Sequence, residues 1–386
     1  MVAIVFRKVF VVGSGMSNVG RFYERPLRDL AGEALFKAID DASNVVPEFI
    51  VVSNMLSSQA EQENLASLVA DYCGLRGTSG FKVEAACGSG GAALVAGYAL
   101  ISSGLANVVA VVGVEKLSER TTPEVARGLA YAADADFEIP YGISFSGLNA
   151  LIMRYYMNKY NVGRDDMSAW PILMHENGYY NPYAHLKMKI TAEDVVKSPI
   201  IADPIRLLDS CPMSDGAAAV ILASEDVAKK YNDTPVLIAG IGNALDSTDI
   251  SSRFELDSFL ASRLSAERAF KMAKLSPKDV DVAELHDAYS INGVITLEDV
   301  GFAPKGMGAK LVAEGRFKPG DKPSVNPSGG LKSRGHPVGA TGVYQVCEVV
   351  MQLRGDFPGV KVGGEVGLTQ NIGGVGSNIT TIILRR

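Results

Sequence analysis

The chain has 386 residues, 47% of them hydrophobic and 21% charged, as expected of a well-packed globular protein with roughly two to three domains. Its net charge of −6 gives no electrostatic reason to expect nucleic-acid binding, so an anionic substrate would need a local basic patch. No apolar run reaches the ~18–20 residues that span a bilayer, and four cysteines without a CxxC pair (Cys73, Cys87, Cys211, Cys347) fit a reducing compartment rather than a disulfide framework or zinc ribbon.

In chain order, Met1 to Arg7 is too short and too soon charged for a signal peptide. Val9-Phe10-Val11-Val12-Gly13 reads as a strand, Ala31 to Asp40 as a helix, Pro47 as a turn and Phe49 to Ser53 as a second strand. Phe81-Lys82-Val83-Glu84 is strand-like and runs into Cys87-Gly88-Ser89-Gly90-Gly91, the start of a small-residue helix. The stretch 118–205 is rich in aromatic and polar residues, as in Tyr179-Tyr180-Asn181-Pro182-Tyr183, and reads as an inserted loop region that covers a pocket. Asp215 to Leu222 closes the first half with a β-rich run.

The same order then repeats. Pro235 to Gly240 is a strand, Ala266 to Ala273 a helix, Pro277 a turn and Val280 to Leu285 a strand. Gly339-Ala340-Thr341-Gly342 opens a helix, and Gly376 to Ile383 closes the half. Two similar α/β domains, 1–228 (carrying the 118–205 insertion) and 229–386, are the expected architecture. The end, Leu384-Arg385-Arg386, is not a peroxisomal address, and cytoplasmic location without membrane or nucleic-acid partners is expected.

Three residues carry candidate chemistry. Cys87 sits at a strand-to-helix turn, where free amide groups and the positive helix end favour a thiolate; a buried structural thiol fits the local sequence equally well. His286 ends a strand in Glu284-Leu285-His286-Asp287-Ala288-Tyr289, the place where open α/β sheets hold ligands. His336 lies in the glycine-rich turn Gly335-His336-Pro337-Val338-Gly339-Ala340-Thr341-Gly342. Taken singly, each histidine also fits a surface or hydrogen-bonded core position. A cysteine with two convergent histidines makes a nucleophile with an activator and an oxyanion donor. Gly13-Ser14-Gly15 lacks the third glycine of a dinucleotide fingerprint, no P-loop or HExxH run occurs, and His175 and His185 are poor metal candidates.

Cys87-Gly88-Ser89, the His286-Asp287-Ala288-Tyr289 run, the Gly335 to Gly342 run and Asn371-Ile372-Gly373-Gly374-Val375-Gly376 stand in the order found in thiolases, and the chain resembles that superfamily from about residue 8 to its end. The His-Asp motif resembles the archaeal and SCP2-type members. The resemblance implies the thiolase fold, with two domains in five αβαβα layers, and acetyl-CoA C-acyltransferase chemistry on coenzyme A thioesters without a metal or other cofactor. It implies that Cys87 takes the acyl group, that His336 activates it, that His286 completes an oxyanion site, and that the backbone N–H groups of Cys87 and Gly373 hold the acyl-enzyme oxygen. It also implies a homodimer or tetramer, and association with a zinc-ribbon/OB-fold protein and HMG-CoA synthase.

One departure matters. The cysteine with which thiolases move the α-carbon proton is replaced by Asn371, and the alternative site in the His-Asp motif holds Ala288. Tyr289, His286 or His336 would have to act as base, or the carbanion would have to come from decarboxylation as in ketoacyl synthases. An acyl-CoA-binding scaffold is the remaining alternative. Cys211 and Cys347 lie outside the motif loops and are poor substitutes by sequence position.

Overall fold

The computed structural model describes residues 6–386; residues 1–5, part of the opening segment read above, lie outside it. The elements that position the site are β1 (Val9–Met16), α1 (Leu27–Asp41), β2 (Phe49–Ser53), β3 (Ser79–Val83), α2 (Ser89–Ser102) and β4 (Val108–Glu115). After these come α3 (Phe145–Tyr160), α4 (Arg164–Gly178), β5 (Gly216–Ser224), β6 (Val236–Leu245), α5 (Leu260–Ala273) and β7 (Val282–Leu285). The chain ends with α6 (Ser290–Asp299), β8 (Ser324–Val325), α7 (Thr341–Arg354), β9 (Val366–Gly373) and β10 (Asn378–Arg385).

Ten strands line up as β8-β7-β9-β10-β6-β1-β5-β4-β2-β3. From the centre outwards each half makes the same pairings. β1/β5 and β5/β4 are antiparallel, and β4/β2 and β2/β3 are parallel. Likewise β6/β10 and β10/β9 are antiparallel, and β9/β7 and β7/β8 are parallel. The repeat read from the sequence is therefore a repeat of topology. The join expected at residue 228 falls at the short helix Ala228–Tyr231 between β5 and β6.

Within the sheet, the described residues pair the two halves at Phe10 with Leu237 and Val11 with Val236. The sheet bends at this seam around α2 and α7, which pack on each other and on strands of both halves, while α1 covers one outer face and α5 the other. The result is five αβαβα layers. Burial of both faces explains why β4 and β5 read as unbroken apolar runs, with every residue buried.

The insertion differs from its reading as loop. It is mostly helical, with α3 and α4 at its centre. Pro171 inside α4 and the polar, aromatic composition hide its period. It also packs away from the half that carries it: Met153, Tyr156, Met167, Trp170 and Met174 share one core with Val294, Ile295 and Leu368 of the second half.

Candidate active site

The turn into α2 sets the position of Cys87. Ala86 adopts the left-handed φ of 52°, uncommon for a residue with a side chain, and turns the chain sharply after β3. The Ser89 hydroxyl holds that turn, donating to the Ala86 carbonyl (2.6 Å) and accepting from the Ala85 N–H (2.9 Å). Cys87 is buried among Leu56, Leu117, Val125 and Val338. Gly88 allows the Gly373 backbone to come close, since a Cβ at residue 88 would stand 2.9 Å from the Gly373 nitrogen. The amides expected to hold an acyl oxygen thus come from touching segments.

His286 leaves the end of β7 and His336 the turn before α7. Their rings meet edge to face with centroids 5.0 Å apart, and both are buried. Asn371 ties the site together. Its Oδ1 accepts from the Gly91 N–H at 2.9 Å, which fixes the orientation of the amide. Its Nδ2 then donates both to the Cys87 carbonyl and to Nδ1 of His286, each at 3.1 Å. His286 accepts at Nδ1, so in its neutral form the proton sits on Nε2.

His336 has the opposite arrangement. The Thr341 hydroxyl gives its proton to the Pro337 carbonyl (3.0 Å), so at 2.6 Å it accepts from His336 Nδ1. Nε2 of His336 is left as a bare acceptor, and it is buried with no protein partner. Burial and the nearby Arg334 guanidinium hold both rings neutral: His286 is pushed down to about 3, and His336 is pushed well down by burial, His286 and Arg334. One imidazole is thus set as a proton acceptor and its neighbour as a donor.

Burial pushes the Cys87 thiol up, against the expectation that the helix start favours a thiolate. Desolvation outweighs the helix end, and the group is held as a thiol. Tyr289, the candidate substitute base, shares a hydrogen bond with Ser146 of α3 at 2.8 Å, and burial pushes its hydroxyl up as well. The Ser146 bond occupies the hydroxyl, and burial opposes its ionisation. Cys347 is buried on α7 against the carbonyls of Gly15 and Ala219, far from these loops. His175 and His185 do not converge on a metal, and among the described residues no group of three or more His, Cys, Asp or Glu is placed to hold one.

Sequence reasoning treated Asn371 only as a lost base and left out Thr341 as a partner of His336. Thr341 stands in the glycine-rich run already singled out, five residues after the histidine, and was legible there. The Asn371 contacts span 284 and 280 residues of chain and leave no local signal.

The model of the thiolase N-terminal domain matches residues 9–226, and the thiolase C-terminal domain-like model matches residues 242–386. The chain belongs to the thiolase family. A Methanothermobacter thermautotrophicus protein named acetyl-CoA acetyltransferase is 42% identical over 98% of this chain and 100% of its own length. A Methanocaldococcus jannaschii protein of the same name is 37% identical over 98% and 99%. Sterol carrier protein 2 of Gallus gallus is 33% identical over 98% of this chain and 72% of its own length.

Among solved structures, the Ltp2-ChsH2(DUF35) aldolase superposes with a TM-score of 0.86 at 22% identity, covering 99% of each chain. Human mitochondrial 3-ketoacyl-CoA thiolase does so with 0.78 at 21%, covering 98% of each. These two structures show the shared fold. With its family and close relatives, this protein is an acyltransferase of the thiolase type. No described helix is long and apolar enough to cross a membrane.

Proposed function

We propose that the protein interconverts two acetyl-CoA with acetoacetyl-CoA and CoA through an acyl-enzyme on Cys87. The opposed protonation of the two histidines carries this reading. His336 Nε2 takes the Cys87 proton as the sulfur attacks the thioester carbon, then gives it to the departing CoA sulfur. The N–H groups of Cys87 and Gly373 hold the oxygen of the acyl-enzyme, and His286 Nε2–H faces the thioester oxygen of the second substrate. Each such donor typically contributes about 3–4 kcal/mol to lowering the barrier.

A cleft lined by Arg21, Tyr23, Ser118 and Arg120 also has Leu117, Val125 and Met213 in its lining, and these three belong to or pack against the apolar cluster that contains Cys87. Arg21 gives this cleft a positive charge for an anionic CoA tail in a chain of net negative charge, while Arg120 is paired with Glu61. The names of the archaeal relatives support acetyl-CoA as substrate. Assembly as a dimer or tetramer is carried over from the resemblance. A small zinc-ribbon/OB-fold partner has one support, the second component named in the Ltp2-ChsH2(DUF35) aldolase, and HMG-CoA synthase has none.

A second reading, condensation with a carbanion made by decarboxylation, is favoured by Asn371, whose amide cannot carry the α-proton. CoA-dependent cleavage of acetoacetyl-CoA separates the two. Turnover by the wild type, with an acetyl adduct that disappears in Cys87→Ala, supports the thiolase reaction. An adduct without cleavage moves the decarboxylating reaction forward, and no adduct removes the nucleophile assignment.

A further inference from the structure

The proposed reaction needs a group that removes a proton from the α-carbon of acetyl-CoA, and the residues already placed are committed elsewhere. Both Asn371 amide atoms are bonded, the Tyr289 hydroxyl is held by Ser146, and His286 Nδ1 accepts from Asn371. His336 Nε2 serves Cys87.

The segment Ser210 to Ser214 runs between the two histidine loops. Ser210 forms a bridge with Tyr289, the Cys211 N–H donates to the Ala288 carbonyl at 2.9 Å, and Met213 forms a bridge with His336. Cys211 therefore lies on a strap that both histidine loops hold in place, although it is far from either in sequence. After burial, a charge on Cys211 is the largest influence on Cys87, and Cys211 and Cys87 both act on Tyr289.

Lys332 supplies an independent observation. It is 2% exposed. Burial pushes it down to about 8, and the charge that acts on it most strongly is that of Cys211, followed by Asp287 and Asp209. Burial pushes the Cys211 thiol up to about 12, and Lys332 opposes that rise most, ahead of Arg334. A lysine this little exposed beside a thiol is an uncommon arrangement.

We propose that Cys211 is the acid/base group of the condensation and that Lys332 positions its proton. This rests on the reading of Cys87 as the acylated nucleophile. In synthesis, the Cys211 thiolate, favoured by the Lys332 ammonium beside it, removes a proton from the methyl carbon of the second acetyl-CoA. That carbon bonds to the carbonyl carbon of acetyl-Cys87, and the bond from that carbonyl to the Cys87 sulfur breaks. The proton on Cys211 passes to the departing Cys87 sulfur, which leaves Cys211 as the thiolate again. Cleavage runs the same steps backwards.

The test measures two half-reactions on the whole protein: acetylation of Cys87 by intact mass, and exchange of acetyl-CoA methyl protons with deuterated water. In Cys211→Ser the exchange and the overall cleavage should fall by at least about 100-fold, with acetylation within about two-fold of wild type. Lys332→Met should show the same split to a smaller degree, and Cys73→Ser should match wild type in both. Exchange in Cys211→Ser within about three-fold of wild type overturns the proposal. Equal loss of acetylation and exchange overturns it too, since a structural role would produce that. If wild-type Cys87 is never acetylated, the nucleophile reading itself fails; if it is acetylated without any methyl exchange, only the acid/base assignment fails.

Discussion

Asn371 has more consequences than any other single residue of the site. A carboxamide can donate to His286 and accept from Gly91 at once, and that combination puts the His286 proton on Nε2. In Asn371→Asp the side chain can only accept, so His286 would donate from Nδ1 and lose the donor at Nε2. The expected result is a loss of about 10²–10³-fold in kcat for acetoacetyl-CoA cleavage, with a lower melting temperature because the new carboxylate faces the Cys87 carbonyl. A variant that keeps wild-type kcat would show that the tautomer does not matter.

His175 gives a residue-scale prediction about acid. Its ring is buried, Nδ1 is bonded to the Met188 carbonyl at 2.7 Å, Nε2 has no partner, and burial pushes it down to about 4. Between about pH 6.5 and 4 the unfolded chain binds a proton that the native ring refuses, so this group lowers stability as pH falls. His175→Gln keeps a donor for Met188 and cannot titrate. By urea unfolding the wild-type advantage at pH 7 should shrink by about 2 kcal/mol at pH 5. A constant difference between the two proteins would contradict the assignment.

At the scale of elements, the inserted helices are bound to the catalytic half through Trp170 of α4. Its indole N–H donates to Asp287 Oδ2 at 2.9 Å, and the other oxygen of Asp287 accepts from the Leu331 N–H at 2.6 Å. One aspartate beside His286 thus joins the insertion, the β7 loop and the segment leading to His336. Trp170 lies flat on Gly293 of α6, where any Cβ would overlap the ring. Gly293→Ala, normally a stabilising change in a helix, should here destabilise by about 1–3 kcal/mol because the ring must shift. Gly128→Ala on another helix of the insertion would not test this contact; the measurement that does is denaturant unfolding of Gly293→Ala beside Gly293→Ala/Trp170→Leu. If the second change relieves none of the cost, the clash is not its source.

For the whole molecule the decisive contact is between the starts of α2 and α7. A Cβ on Gly90 would stand 2.7 Å from the Gly342 nitrogen, and one on Gly342 would stand 2.5 Å from the Gly91 nitrogen. At the β1–β6 seam the described residues form two pairs, so this glycine crossing sets how closely the halves approach. Gly90→Val should destabilise the protein by about 3 kcal/mol and abolish acetylation of Cys87, three residues away. Full acetylation with an unshifted melting temperature would mean that the halves tolerate separation.

The repeated order of strands and helices, the loops that carry Cys87, His286 and His336, and the absence of the usual second cysteine were legible because each depends on local pattern. Apolar periodicity, glycine and proline turns, and residue type near strand ends act over a few residues. The helices of the insertion were missed for the same reason: Pro171 and the mixed aromatic and polar residues of α4 obscure the local period, while its burial comes from a core in the other half. Only tertiary structure decided which nitrogen of each histidine carries the proton, that Tyr289 is tied to Ser146, and that the Cys211 strap lies beside both histidine loops. Those outcomes depend on contacts such as Asn371 to Cys87, 284 residues apart. The sheet must first bend around its central helices to create them, and no short stretch of sequence records where that closure brings its side chains.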